Sequence, residues 1–200
     1  MLIFVRHGQT DANAAGLLQG RTDRPLNQRG KGQARAAALA LRPVLMGGVR
    51  VVSSPLARAR QTAAALLVAA GRREDEMVID HAWIELDYGS WDQVPLRDVP
   101  AAQWEKWRAD LSFTPPGGES LADLGARVRT ACGDLVAECA SDDVIVVSHV
   151  SPIKAAVAWA LGVGDDSSWR MQLDPASICR ISVTDRGAAL RSFNETGHLA

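Results

Sequence analysis

Cysteine is scarce in this 200-residue chain: Cys132, Cys139 and Cys179 are the whole supply. An odd number without C-x-x-C spacing excludes a disulfide framework and a zinc ribbon. Cys132 and Cys139 lie about two turns apart in a helical pattern, too far for a bond within one helix. They read as small core residues, and the compartment as reducing and cytoplasmic. Charge of one sign is missing as well, with 22 basic against 23 acidic residues and a net charge of -1. That balance argues against nucleic acid as a partner. Lysine is rare, at Lys31, Lys106 and Lys154, so the positive charge is nearly all guanidinium, which grips phosphate with two parallel hydrogen bonds. No apolar run approaches a membrane span, and the apolar start Leu2–Val5 meets Arg6 too soon for a secretory signal. The expectation is a protein with no membrane partner.

What is present is ordinary for a globular domain: 47% hydrophobic and 22% charged residues exclude a disordered chain, and the length suits one domain over 1–200. Strand-length apolar runs occur at Leu2–Val5, at Val49, Val51 and Val52, and at Val144–Val147. The last, four β-branched residues in a row, reads as a strand buried on both faces. Helical patterns fill 29–46, 56–70, 121–139 and 152–161, with Gly47-Gly48, Gly71 and Gly162 as stops and Ser120 as an N-cap. Alternating strands and helices predict an α/β fold, three layers deep, around a largely parallel sheet. Segments 177–183 and 188–193 flank Asp185-Arg186-Gly187 as a hairpin, which makes that sheet mixed; these C-terminal strands are candidates for pairing in a homodimer. Residues 88–118, rich in Pro, Gly and Trp, are too long for a plain connection and read as a partly helical lid. Trp104 and Trp107 are expected to pack it.

Each of the three strands ends in a polar cluster: Arg6-His7-Gly8-Gln9-Thr10 with Asn13, then Ser53-Ser54-Pro55-Leu56-Ala57-Arg58, then Ser148-His149-Val150. Ligands of open α/β sheets bind at strand carboxyl ends. Arginines and histidines gathered there suit a phosphoryl group, with guanidinium and imidazolium supplying charge and an imidazole available as nucleophile.

The ordered motifs R-H-G-Q-T, Q-G at 19 and 20, D-R-P-L, S-S-P-L-A-R-A-R-Q-T-A, I-E-L-D-Y-G-S-W, G-G-E-S and S-H-V, with a closing N-E-T-G-H-L, resemble the histidine phosphatase superfamily. That superfamily also holds the cofactor-dependent phosphoglycerate mutases. The segment 148–154 is similar to phosphatases of the α-ribazole-phosphate type. The resemblance implies that His7 is the phosphorylated nucleophile, and that Arg6, Arg58 and His149 form the phosphate pocket with Asn13. It implies that Glu85 is the acid/base, ahead of Asp87 and Asp92. Gln19, Gly20 and Val150 complete the expected substrate contacts. No metal or other cofactor is called for, and the four histidines show no metal-ligand spacing.

Arg58 and Arg60 point about 200° apart on a helix, so only one can face the pocket, and the motif selects Arg58. His81 and His198 read as structural or surface residues, and Arg72 to Glu76 as a solvated loop. Two departures stand out. Asp92-Gln93 follows Gly-x-Trp where such phosphatases often carry Glu-Gly, and Val150 replaces a Gly, its backbone N–H being expected to stay open to phosphate. The implied activity is hydrolysis of a small phosphomonoester. The alternative is mutase activity, disfavoured because Leu86 and Asp87 stand where a mutase carries basic residues. The third reading is an inactive phospho-ligand-binding module, disfavoured because His7 and Glu85 are both present.

Overall fold

A computed structural model describes every residue except Ser141. Its elements, in chain order, are β1 (Leu2–Arg6), α1 (Asp11–Ala14), α2 (Gln28–Leu45), β2 (Arg50–Ser53), α3 (Ala57–Ala69), β3 (Val78–Ile79), α4 (Ala101–Ala109), α5 (Leu121–Val136), β4 (Val144–Ser148), α6 (Val150–Leu161), β5 (Ile178–Thr184) and β6 (Gly187–Glu195). The six strands form one sheet in the order β3-β2-β4-β1-β5-β6. The first four positions run parallel, and β5 and β6 are antiparallel to their neighbours. The expected mixed sheet is therefore present, and β4, the β-branched run, lies at its centre with every residue buried.

Strand periodicity divides the core in two. Leu2, Phe4, Val144 and Val146 face α5 and α6, while Ile3, Val5, Ile145 and Val147 face α2 and α3. Helices on both faces complete the three layers. Local chemistry sets the helix ends: Asn27 caps α2 by accepting from the Gly30 amide at 2.8 Å, and Ser120 caps α5 by accepting from the Asp123 amide at 3.0 Å. Gly162 closes α6 in the left-handed conformation, φ 67°.

Three details differ from the sequence expectation. The α5 helix stops at Val136, and Glu138–Ala140 continue as a 3-10 turn. The α6 helix starts at Val150, so Pro152 occupies its third position. Strand β3, two residues long, was too short to announce itself by periodicity. Among the described residues no helix is long and apolar enough to cross a membrane. The three cysteines are free and buried.

Segment 88–118 leaves and rejoins the body at a narrow neck, where the Ser90 amide donates to Pro116 O at 2.9 Å and the Glu119 amide to Asp87 O at 2.9 Å. Two 3-10 turns and α4 give it the expected partly helical character. Trp107 is its hub, with Trp104, Trp91, Tyr88 and Trp169 all within 5.0–5.8 Å between ring centroids.

Candidate active site

Parallel register does the first part of the assembly. Arg6 lies opposite Ser148 and Ser53 opposite Val147, so three strands end level and their polar successors share one edge. The His7 amide extends the β1–β4 ladder by donating to Ser148 O at 3.0 Å. His7 and His149 then stand side by side, ring centroids 5.0 Å apart. Arg58 enters from the first turn of α3, fully buried, while Arg60 is exposed. Glu85 arrives from the turn after Trp83, 3% exposed. Of the expected residues, Arg6, His7, Arg58, Glu85 and His149 are thus brought together. A groove of about 370 Å³ between α2 and α3 contains none of them.

The loop after β1 is seated by a close backbone approach. A Cβ on Gly8 would lie 2.4 Å from Gly30 O, and one on Gly30 would lie 2.0 Å from Gln9 O. Only glycine fits at either position. Gly8 also donates its amide to Thr62 Oγ1 at 3.2 Å.

The His7 ring has a defined tautomer. Its Nδ1 lies 2.7 Å from Gly8 O, a carbonyl that can only accept, so Nδ1 carries the proton and Nε2 keeps its lone pair. Burial, then the charges of Arg58 and Arg6, hold its pKa well below 6.5. The ring is neutral and nucleophilic at neutral pH.

Hydrogen bonding corrects the expected imidazolium at His149. Its Nδ1 accepts from Arg58 Nε at 3.2 Å and its Nε2 is 2.7 Å from Ser54 Oγ. Burial and then Arg58 hold its pKa well below 6.5 too, so this ring is neutral and the positive charge of the pocket belongs to the arginines. Arg58 donates also to Thr22 O at 3.0 Å and Gly20 O at 2.7 Å, which leaves two of its five N–H groups for a ligand. Arg6 gives one N–H to Leu173 O at 2.5 Å, and its Nε is buried without a protein acceptor. Burial lowers its pKa to about 10, which still leaves it charged at neutral pH.

A second correction concerns Val150. Its amide, expected to stay open to phosphate, donates to Glu85 Oε2 at 3.1 Å, while the amides of Ser151 and Leu86 donate to Glu85 Oε1 at 3.2 and 2.7 Å. The amino end of α6 attracts the carboxylate by its unpaired N–H groups. Gly20 likewise has no amide to spare: its N–H goes to Asp92 Oδ1 at 3.0 Å, and its carbonyl serves Arg58. Asn13 uses Oδ1 on the Thr10 amide at 3.1 Å in a capping box, so its Nδ2 is the group left to meet a ligand. Gln19 is buried with Oε1 accepting from Thr10 Oγ1 at 2.7 Å and Nε2 without a protein acceptor.

Asp92, the departure after Gly-x-Trp, gains a physical reason here. Its carboxylate accepts from the amides of Gly20 and Thr22, at 3.0 and 2.7 Å, the two residues whose carbonyls hold Arg58. Sequence reasoning passed over this positioning role, and over Ser54 and Thr62, because all three act through partners distant in the chain. His81 is exposed, and His198 bonds Ala176 O at 3.0 Å, behind the His7 backbone, whose carbonyl accepts from the Ala176 amide at 3.1 Å. Asp87 is ion-paired with Arg21 at 3.3 Å.

Comparison with known proteins agrees with this architecture. The chain is 37% identical over 205 residues to the bifunctional protein Rv2228c of Mycobacterium tuberculosis, covering 99% of this chain but only 54% of that protein. It is 32% identical over 204 residues to phosphoserine phosphatase 1 of Hydrogenobacter thermophilus, covering 99% and 93%. The structure of a mutant phosphoserine phosphatase from Entamoeba histolytica, in complex with phosphoserine, superposes with a TM-score of 0.88 at 27% identity, covering 100% and 98%. Residues 2–196 match the histidine phosphatase superfamily, branch 1, and the chain belongs to that family.

Proposed function

We propose that this protein is a metal-independent phosphomonoester hydrolase that works on a small phosphorylated metabolite through a phosphohistidine. The observation that carries the reading is the His7 ring, neutral, with Nδ1 fixed by Gly8 O, Nε2 left with its lone pair, and the charges of Arg58 and Arg6 acting on the ring. In the first step Nε2 attacks phosphorus, the bond from phosphorus to the leaving oxygen breaks, and that oxygen takes a proton which the Glu85 carboxylate relays from the phosphomonoester monoanion. In the second step the Glu85 carboxylate takes a proton from water, whose oxygen attacks phosphorus. The P–N bond then breaks, its electron pair returns to Nε2, Glu85 passes its proton to the new phosphate, and inorganic phosphate departs. Arg6 and Arg58 hold the charged equatorial oxygens throughout, and such fixed charge supplies most phosphoryl-transfer catalysis.

His149 serves as a neutral support for Arg58, and segment 88–118 covers the leaving-group side as a lid. Relatives named for phosphoserine and glucosyl-3-phosphoglycerate support a small metabolite as substrate. The test is a quench of turnover with a phosphomonoester at alkaline pH, followed by intact-protein mass spectrometry. One added phosphoryl group on the wild type, none on His7→Ala, and no turnover by that folded variant are expected. Full activity of His7→Ala would overturn the mechanism. Release of phosphate, in place of its transfer to a second hydroxyl of 3-phosphoglycerate, separates hydrolysis from mutase activity.

A further inference from the structure

The G-G-E-S motif supplies Ser120 as the cap of α5, but its glutamate, Glu119, has no part in the reaction steps. Glu119 is the first residue after the lid, and it is tied back to the turn that carries Glu85. Its amide donates to Asp87 O at 2.9 Å, and its Oε2 accepts from the Asp87 amide at 3.4 Å. The same oxygen accepts from Arg21 Nη2 at 3.3 Å; Arg21 stands between Gly20 and Thr22, whose carbonyls hold Arg58. The main partner of Glu119 is Arg127 of α5, which donates from Nε to Oε1 at 2.8 Å and from Nη2 to Oε2 at 3.0 Å. Both side chains are largely shielded, at 21% and 13% exposure.

Arg127 also reaches the Glu85 turn directly. Its Nη1 donates to Ala82 O at 2.7 Å, and its Nη2 lies 3.5 Å from Glu85 O, the longest contact of the set. Residues 84–88 belong to no helix or strand, so no ladder of backbone hydrogen bonds sets their course. Ser148 Oγ fixes the turn ahead of Glu85 by donating to Trp83 O at 2.7 Å, and Arg127 and Glu119 hold it from Ala82 to Asp87. Trp83 and Leu86, each 0% exposed, anchor the same turn in the core. Apolar packing is non-directional, so it seats the turn without fixing the heading of the Glu85 side chain. A planar guanidinium can grip a carboxylate with two parallel bonds and a carbonyl with a third, which a single ammonium cannot.

We propose that Arg127 and Glu119 act together as positioning residues for Glu85, fixing the place from which its carboxylate relays protons. The inference rests on the phosphatase reading, in which Glu85 handles the proton, and adds the residues that aim it. A misplacement of about 1 Å in such a group is enough to cost about a hundredfold in rate.

The experiment varies the leaving group. The ratio kcat/KM covers the steps up to departure of the alcohol. An alkyl oxygen, as in phosphoserine or glycerol 3-phosphate, needs a proton to leave, whereas the nitrophenolate of p-nitrophenyl phosphate leaves without one. Glu85→Gln should therefore lower kcat/KM for the alkyl esters about a hundredfold or more and leave p-nitrophenyl phosphate within a few-fold. Arg127→Lys, which keeps a positive charge beside Glu119, and Glu119→Gln should each reproduce that selectivity at about tenfold. In the Glu85→Gln background Arg127→Lys should cost nothing further, because a residue that acts through a carboxylate has no effect once the carboxylate is gone. Equal losses on both substrate types, or a loss that persists in the Glu85→Gln background, would mark a purely structural pair and overturn the proposal. Wild-type kinetics in both single variants would overturn it as well. Absence of turnover by the wild type, or a Glu85→Gln variant without the leaving-group pattern, would instead overturn the reading of Glu85 and the proposal with it.

Discussion

Mild acid should destabilise this protein through two rings. His7 and His149 are both buried, and desolvation followed by the charge of Arg58 keeps the pKa of each well below 6.5. In the unfolded chain both titrate near the ordinary value. Between that value and their folded pKa the unfolded chain binds more protons, so stability is complete above about pH 6.5 and falls as the pH drops below it. Each proton contributes about 1.4 kcal/mol per pH unit, so two rings give a slope approaching about 2.7 kcal/mol per unit. Against a typical stability of about 5–15 kcal/mol, one unit removes a substantial share. Urea melts in phosphate-free buffer at a series of pH values from neutrality down to about 5.5, where most carboxylates are still ionised, should show this slope. His7→Gln should remove about half of it. A flat profile over that interval, or an unchanged slope in His7→Gln, would refute the argument that these rings are held neutral by burial.

Two further outcomes follow from contacts at the site's edge. Gly30→Ala places a Cβ 2.0 Å from Gln9 O, a backbone atom with no rotamer to yield, so chemical denaturation should show a loss of about 3 kcal/mol or more. Asp92→Ala frees the amides of Gly20 and Thr22 and loosens the carbonyls that aim Arg58. Its kcat/KM should fall about tenfold to a hundredfold, with Asp92→Asn recovering part because one acceptor oxygen remains; an unchanged kcat/KM in Asp92→Ala would remove the positioning role.

The fold was legible where its causes are local. The β-branched run Val144–Val147, the cap at Ser120 and the stop at Gly162 each act within a few residues of themselves. Strand β3 was not legible, since two exposed residues carry no period and the pairing comes from β2. The choice of Arg58 over Arg60 came from motif and helical angle together, and the buried and exposed positions of the two agree with it.

By itself, the order of residues determined the sheet, its flanking helices and the set of side chains that meet at the strand ends, because hydrophobic period and turn chemistry are written along the chain. Only the tertiary structure decided how those side chains are used. The neutral state of His149, the surrender of the Val150 amide to Glu85 and the grip of Asp92 on the amides of the two residues whose carbonyls hold Arg58 all depend on partners far apart in the chain. Their physics is burial and hydrogen-bond competition, and neither exists until distant segments are packed together.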